Sequence, residues 1–379
     1  MSMRSRSPRW SRREALGILG AGAAALALPD LAPAAPPTFP KGAIIRTILK
    51  DYAPEDLAGG ATLFHEHMSL APDFMPRWMA SARATREASG QAAAPGRQGG
   101  AAPPAPAQPE GAFFMQDVDL MADEMKQAKA EGIACIVDGG HADMGRDINF
   151  LRQISMKSGL PIVAGAGFYT QPFYPKEIST WSETQIFDAL VKQVETDPVG
   201  AFGEIGSWDY ITADERKVFR AVGRAHVATN LPIFTHTGIP GKSAMEQLDI
   251  FEDVGVKPQH VVIGHLGNLA DPKVEVQKEI CKRGAFIGFD RQGGPGDAQQ
   301  VPMVMALIEA GYAENLMFSA DLSSRAQTHH GGGAGYAKTL TVFVPKLKAA
   351  GASEEVLHTI MVDNPRRLLA FVPKKPRKA

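Results

Sequence analysis

The sequence of 379 residues contains only two cysteines and carries a net charge of -1. Two cysteines are too few for a disulfide framework, and we interpret Cys135, in an apolar strand, and Cys281, in a helix, as buried free thiols. A chain with so little net charge gives no reason to expect nucleic acid or an anionic membrane as its partner. No glycine-rich dinucleotide fingerprint follows the first predicted strand, which argues against a nucleotide-binding open sheet.

The N-terminal segment has the pattern of an export signal. Arg12 and Arg13 precede an apolar run, residues 17–28, which is too short to span a membrane. The pattern predicts a twin-arginine signal peptide over residues 1–35, cleaved near Ala32 to Ala34, and retention as an anchor is the alternative. Export would place the protein in the periplasm or outside the cell. Removal of the segment's five arginines and two acidic residues would leave a net charge near -4.

Residues 81–110 form a segment rich in alanine, proline, glycine and glutamine. Because the segment contains almost no large apolar residue, we expect a disordered or loosely ordered insertion after the first strand. The simpler interpretation is a solvated loop. The alternative is a mobile flap beside the active site.

Beyond this insertion, short apolar segments bounded by glycine alternate with helical patterns. With 44% hydrophobic residues the chain can bury a large core, either in one domain or in two smaller ones. Eight strands separated by helices indicate a (β/α)8 TIM barrel over residues 44–371, and an open doubly wound sheet is the alternative. The predicted strands are residues 60–67, 132–140, 160–169, 199–206, 231–238, 260–267, 285–290 and 314–321, with helices at residues 115–131, 213–229 and 271–283 among the intervals.

His65 and His67 follow the apolar part of the first predicted strand. Residues two apart on a strand project from the same face, so both imidazoles point together and Glu66 points the other way. Barrels of this class carry their chemistry at the C-terminal ends of the strands. Taken alone, the pair could equally be two unrelated surface or core histidines.

Further residues of the types that bind metals end later strands. Glu204 ends the fourth predicted strand, His236 lies in the fifth, His265 in the sixth, and Asp321 ends the eighth. Each has a structural alternative, such as a buried salt bridge for Glu204, but packing alone does not explain their joint placement. Imidazole and carboxylate ligands suit zinc and other borderline divalent metals. The set is sufficient for two metal ions, with Glu204 bridging them and a hydroxide held between them.

The strand-end motifs together resemble the phosphotriesterase family of the amidohydrolase superfamily. They are LFHEHMSL, GFYTQPFYP, PIFTHTG, VVIGHLGN, AFIGFDR, MFSAD and DNPRRLL, in that order, and the similarity covers roughly residues 44–371. The resemblance implies that His65, His67 and Asp321 hold one metal ion. It implies that His236 and His265 hold the other, and that Asp321 accepts the proton of the bridging hydroxide.

Glu204 departs from many members of that family, which bridge the metals with a carboxylated lysine on the fourth strand. A glutamate supplies a similar bidentate carboxylate without the modification. Tyr169 and Arg291 match positions that line the substrate pocket in lactonase-like members, and the alternatives are a rim aromatic and a surface arginine. The resemblance also implies a homodimer.

These features predict a secreted dinuclear-metal hydrolase, acting with zinc on a lactone or another carboxylic ester. Phosphotriester or amide hydrolysis is the alternative within the family. A TatD-like nuclease shares several of the motifs, but the acidic mature chain argues against the basic rim that phosphates require. A non-catalytic periplasmic metal-binding protein is less consistent with a complete ligand set and a base. The expected partner is a small-molecule substrate.

Overall fold

The computed structural model describes residues 36–88, 113–238, 241, 243–269, 271 and 273–374. The predicted signal peptide, residues 1–35, lies outside these described residues, and so do residues 89–112 of the insertion region. Among the helices of the described part, none has both the length and the apolar character needed to cross a membrane.

Two short antiparallel strands come first, β1 (Ile45–Arg46) and β2 (Asp51–Tyr52). The parallel strands that follow are β3 (Ala61–Glu66), β4 (Ile133–Asp138), β5 (Ile162–Ala166), β6 (Val199–Gly206), β7 (Ile233–His236), β8 (Val261–Ile263), β9 (Phe286–Phe289) and β10 (Leu316–Phe318). Consecutive strands from β3 to β10 are hydrogen-bonded neighbours in one sheet of eight. With helices between the strands, the sheet is a (β/α)8 barrel, and the fold prediction is confirmed.

The helices are α1 (Phe74–Ala88), α2 (Val118–Ala130), α3 (Ile148–Ser158), α4 (Glu183–Thr196), α5 (Ala213–Thr229), α6 (Ala244–Asp253), α7 (Glu275–Lys282), α8 (Asp297–Glu309), α9 (Val344–Ala349), α10 (Glu354–His358) and α11 (Asn364–Leu369). Capping boxes fix where two of them begin, with Ser182 paired to Gln185 before α4 and Thr212 paired to Glu215 before α5. Each box satisfies backbone N–H groups that the first helical turn leaves free.

A cluster of buried apolar side chains draws on every strand of the barrel. Its strand members are Phe64, Cys135, Val137, Val163, Ala201, Phe234, Val262, Phe286 and Met317. Side chains from eight neighbouring strands pack together in this way only if the sheet curves round on itself. Both cysteines are buried and free, as the sequence predicts.

The two ends of the sheet meet through bonds between β3 and the segment that follows β10. The His65 N–H donates to the Ser319 hydroxyl at 3.1 Å, and the Asp321 N–H donates to the His65 carbonyl oxygen at 3.2 Å. Glu66 is fully buried, and its carboxylate accepts hydrogen bonds from the N–H groups of Ala320 (2.6 Å) and Leu322 (2.9 Å). The outward-facing Glu66 therefore fastens the strand of the two histidines to the segment of Asp321.

Helix α1 corrects one prediction. Residues 81–88, predicted as the start of a disordered or loosely ordered insertion, are helical. Phe74, Trp78 and Ala82 recur at every fourth residue, and the first and last of them are buried. This spacing places them on one face of a helix, which packs because the apolar stripe begins before the low-complexity composition does.

Candidate metal centre

Glu204 lies at the centre of a cluster of histidines at the C-terminal ends of the strands. Its Oε1 lies 2.7 Å from His236 Nδ1, 3.0 Å from His265 Nε2 and 3.3 Å from His65 Nε2. Its Oε2 lies 3.5 Å from His67 Nε2. All five side chains are buried. The strand-end residues named from the sequence therefore converge on one carboxylate.

Asp321 completes the set from the segment after β10. Its Oδ1 lies 3.3 Å from His67 Nε2 and 3.9 Å from His65 Nε2. Its Oδ2 accepts a hydrogen bond from Arg291 Nε at 2.8 Å. Asp321 thus contacts the two histidines with which the family resemblance groups it.

The donor atoms suit metal ions better than they suit one another. His236 Nδ1 and His265 Nε2 face each other at 2.8 Å. His65 Nε2 is buried, and although Glu204 Oε1 is 3.3 Å away, it forms no hydrogen bond of acceptable geometry with the described residues. Two sets of three residues could each hold a metal ion, because the ligand atoms within each set lie within 4.8 Å of one another. One set is His65, His67 and Glu204, and the other is Glu204, His236 and His265. The two sets share Glu204, as expected of a carboxylate between two divalent ions.

The charges of the cluster follow from its burial and its neighbours. Burial opposes ionisation of Glu204, but His65 and His236 beside it hold the pKa of its carboxyl well below the usual value. Burial lowers the pKa of His67, but the carboxylates of Asp321 and Glu204 outweigh this effect and raise it to about 9. Without metal the carboxylates are ionised and His67 carries a proton at neutral pH. Metal ions and protons therefore compete for this site.

Asp290, which directly follows β9, is a residue of the centre that sequence reasoning missed. Its Oδ1 lies 2.6 Å from His265 Nδ1, and its Oδ2 lies 3.1 Å from His65 Nδ1. Asp290 also forms a compact group with these two histidines. Because it occupies their Nδ1 atoms, it leaves both Nε2 atoms directed at Glu204, so we interpret it as orienting the ligands. The sequence did carry a signal for Asp290, since this carboxylate ends the predicted strand 285–290.

Two breaks in strand register lie beside the cluster. The register of β3 against β4 shifts between Leu63 and Glu66, and that of β6 against β7 shifts between Phe202 and Ile205. Such bulges redirect side chains, here those of His65 and Glu204. At the second break Gly203 has φ of 146°, and a Cβ there would lie 2.4 Å from the Phe234 ring. Only glycine fits this position.

Three residues of the centre have left-handed backbone conformations. The φ angles are 61° for His265, 63° for Arg291 and 48° for Asp321. A non-glycine residue in this region costs roughly 1–3 kcal/mol, and such residues concentrate at functional sites. The fold holds these three side chains toward the cluster in spite of that cost.

Both residues predicted to line the pocket lie against the cluster. The Tyr169 hydroxyl oxygen is 3.1 Å from His236 Nδ1, and its ring is buried. Arg291 Nη2 is 3.3 Å from His265 Nε2, in addition to the bond from its Nε to Asp321. The structure therefore places neither of them as a remote rim aromatic or a free surface arginine.

Histidines outside the cluster include His226, His329 and His330. His226 Nδ1 lies 2.7 Å from the carbonyl oxygen of Leu231. His329 and His330 both contact Glu124 on α2.

Comparison with known proteins assigns the family. N-acetyltaurine hydrolase from Rattus norvegicus is 26% identical over 363 residues, covering 86% of this chain and 98% of its own. The phosphotriesterase homology protein of Escherichia coli, solved with phosphate in its active site, has a TM-score of 0.69 at 25% identity, over 84% of this chain and 100% of its own. A lactonase from Listeria monocytogenes has a TM-score of 0.70 at 25% identity, over 86% of this chain and 98% of its own. The family model for the phosphotriesterase family matches residues 46–369, and the chain belongs to that family.

Proposed function

We propose that this phosphotriesterase-family hydrolase uses two divalent metal ions to cleave a lactone or another carboxylic ester. One observation carries the proposal: two sets of ligand atoms share the Glu204 carboxylate. His65, His67 and Asp321 would hold one ion, His236 and His265 the other, and zinc is the expected metal. The twin-arginine pattern at Arg12 and Arg13 supports export, and a homodimer is the expected assembly.

When bound, the two metal ions would lower the pKa of a water molecule and polarise the substrate's carbonyl group. The protein's own residues position the other participants. Asp321 lies between His67 and Arg291 and would take the proton that the attacking water loses. Tyr169 contacts His236 and Arg291 contacts His265, and from these positions they would orient the substrate and exclude water from it.

Amide hydrolysis is the second candidate, because the relative from Rattus norvegicus is an N-acetyltaurine hydrolase. The screen that separates the candidates uses metal-loaded protein beginning after residue 35, with lactones, aryl esters, N-acyl amino acids including N-acetyltaurine, and a phosphotriester. We expect the highest kcat/KM for a lactone or an aryl ester. A higher value for an N-acyl substrate would select the second candidate, and cleavage of none of them would contradict the hydrolytic proposal.

Arg291→Ala is expected to lower kcat/KM by about tenfold to a thousandfold, or roughly 1.4 to 4 kcal/mol of transition-state binding. Arg291 lies against the cluster without being a ligand, so metal content should not change. Steady-state kinetics with elemental analysis measures both, and Arg152→Ala on the exposed face of α3 is the matched control. The lactone-type pocket is wrong if Arg291→Ala and Tyr169→Phe both leave kcat/KM unchanged while Asp321→Asn abolishes activity.

Metal loading is expected to release protons. His67 has a pKa of about 9, raised from its usual value, so it is protonated at pH 7, whereas a metal-bound imidazole is neutral. Metal affinity should therefore fall as the pH falls below about 9. Titration of metal-free protein with zinc by calorimetry, in buffers with different ionisation enthalpies, measures the released protons. A binding enthalpy independent of the buffer would show that His67 is already neutral.

A further inference from the structure

Helix α1 lies over the metal centre. The Phe74 ring is 6.5 Å from the His67 ring and 5.7 Å from the Tyr169 ring, centroid to centroid. Trp78 lies one turn later on the same face of the helix. The apolar stripe of α1 therefore faces the candidate metal ligands.

Trp78 contacts both predicted pocket residues. Its indole N–H donates to the Tyr169 hydroxyl at 2.9 Å. The Arg291 guanidinium lies 5.5 Å from the centroid of its ring, within the range of a cation–π contact. On its other side Trp78 packs against Trp208 at 5.5 Å, and the Trp208 ring is 5.6 Å from His236. The half-buried Trp78 side chain thus contacts Tyr169 and Arg291 as well as Trp208.

The centre is most exposed to solvent at Arg291. The side chains of His65, His67, His236, His265 and Glu204 are at most 4% exposed. The side chains of Asp321 and Arg291 are 11% and 26% exposed. Arg291 is therefore the most exposed of these seven side chains, and Trp78 lies directly beside it.

We propose that Trp78 is a specificity-determining residue, which roofs the substrate pocket and limits the size of the substrate group that projects past Arg291. The proposal rests on the hydrolytic function proposed above. Because its N–H is already bonded to Tyr169, the indole offers the substrate only apolar ring surface. The pocket would accept compact lactones and short acyl esters and would reject bulky ones by steric overlap.

Trp78→Ala tests the roof with two series of esters, one increasing in acyl length and one in leaving-group size. We expect kcat/KM for the largest member of at least one series to rise tenfold or more relative to the smallest. Trp78→Phe keeps a ring over the pocket and should keep the wild-type ratio. Trp78→Leu serves in place of the alanine variant if that variant does not fold. Met79→Ala, on the neighbouring residue that is 50% exposed, is the matched control.

A purely structural role for Trp78 would lower activity on all substrates alike or reduce metal content, and would leave the ratio unchanged. An unchanged ratio in both series would overturn the proposal. If the wild-type protein hydrolyses no substrate, the hydrolytic proposal fails, and the roof is then tested by calorimetry with acetate and benzoate on the metal-loaded protein. Trp78→Ala should then tighten benzoate binding relative to acetate about tenfold, and equal ratios would overturn the roof itself.

Discussion

Asp321→Asn is expected to lower kcat by about a hundredfold to ten-thousandfold for every substrate that the enzyme cleaves, because a positioned acid or base contributes a factor of that size. The carboxylate contacts His67 on one oxygen and Arg291 on the other. Asparagine removes the negative charge that could accept a proton, and it weakens a predicted metal ligand. The loss should therefore not depend on the leaving group.

Kinetics on the same panel of esters, lactones and amides, with metal content measured in parallel, tests this expectation. Asp188→Asn on the exposed face of α4 makes the same chemical change outside the centre and should leave kcat unchanged. If Asp321→Asn loses activity only in proportion to its lost metal, Asp321 is a ligand and not the base. A wild-type kcat in Asp321→Asn would show that Asp321 is neither a metal ligand nor the base.

Glu204→Gln is expected to destroy the proposed two-metal site while the barrel stays folded. One oxygen of Glu204 lies within 3.3 Å of three imidazole nitrogens, and both oxygens face histidines. Glutamine would replace one of those oxygens with an N–H donor and would remove the charge between the ions. The barrel core packs through apolar side chains on all eight strands, so it does not depend on a carboxylate at its mouth.

Elemental analysis should find fewer than two metal ions per chain in this variant, with activity lost on all substrates and a circular dichroism spectrum like that of the wild type. The matched change is Glu195→Gln on the exposed surface of α4. Two metals and wild-type activity in Glu204→Gln would show that the ions are bridged by another group. An unfolded variant would show that Glu204 serves the fold.

Local sequence pattern was sufficient to predict the barrel strands and most residues of this centre. Apolar runs ending in histidine or carboxylate were sufficient to predict the barrel and to name His65, His67, Glu204, His236, His265 and Asp321, all of which the structure brings together. Burial of a parallel strand on both faces imposes a continuous apolar run, so the strands are visible in the sequence. Ligand chemistry is a property of side-chain type, so the candidates are visible too.

Helix α1 marks the limit of reasoning from composition. The alanine-rich segment from residue 81 reads as unstructured, yet residues 81–88 continue the helix. Earlier in the same helix, Phe74 and Trp78 contact Tyr169 and Trp208, which lie in the segments after β5 and β6. Most helical stability comes from such packing, which composition does not express.

By itself, the sequence determined which residues end the strands and therefore which atoms were available at the mouth of the barrel. Only the tertiary structure decided how those atoms meet. Asp290 orients His65 and His265 across 225 and 25 residues of sequence, and Glu66 joins the first barrel strand to the last. The physical reason is that register, bulges and closure of the barrel set these contacts, and each depends on several strands at once rather than on the periodicity of any one.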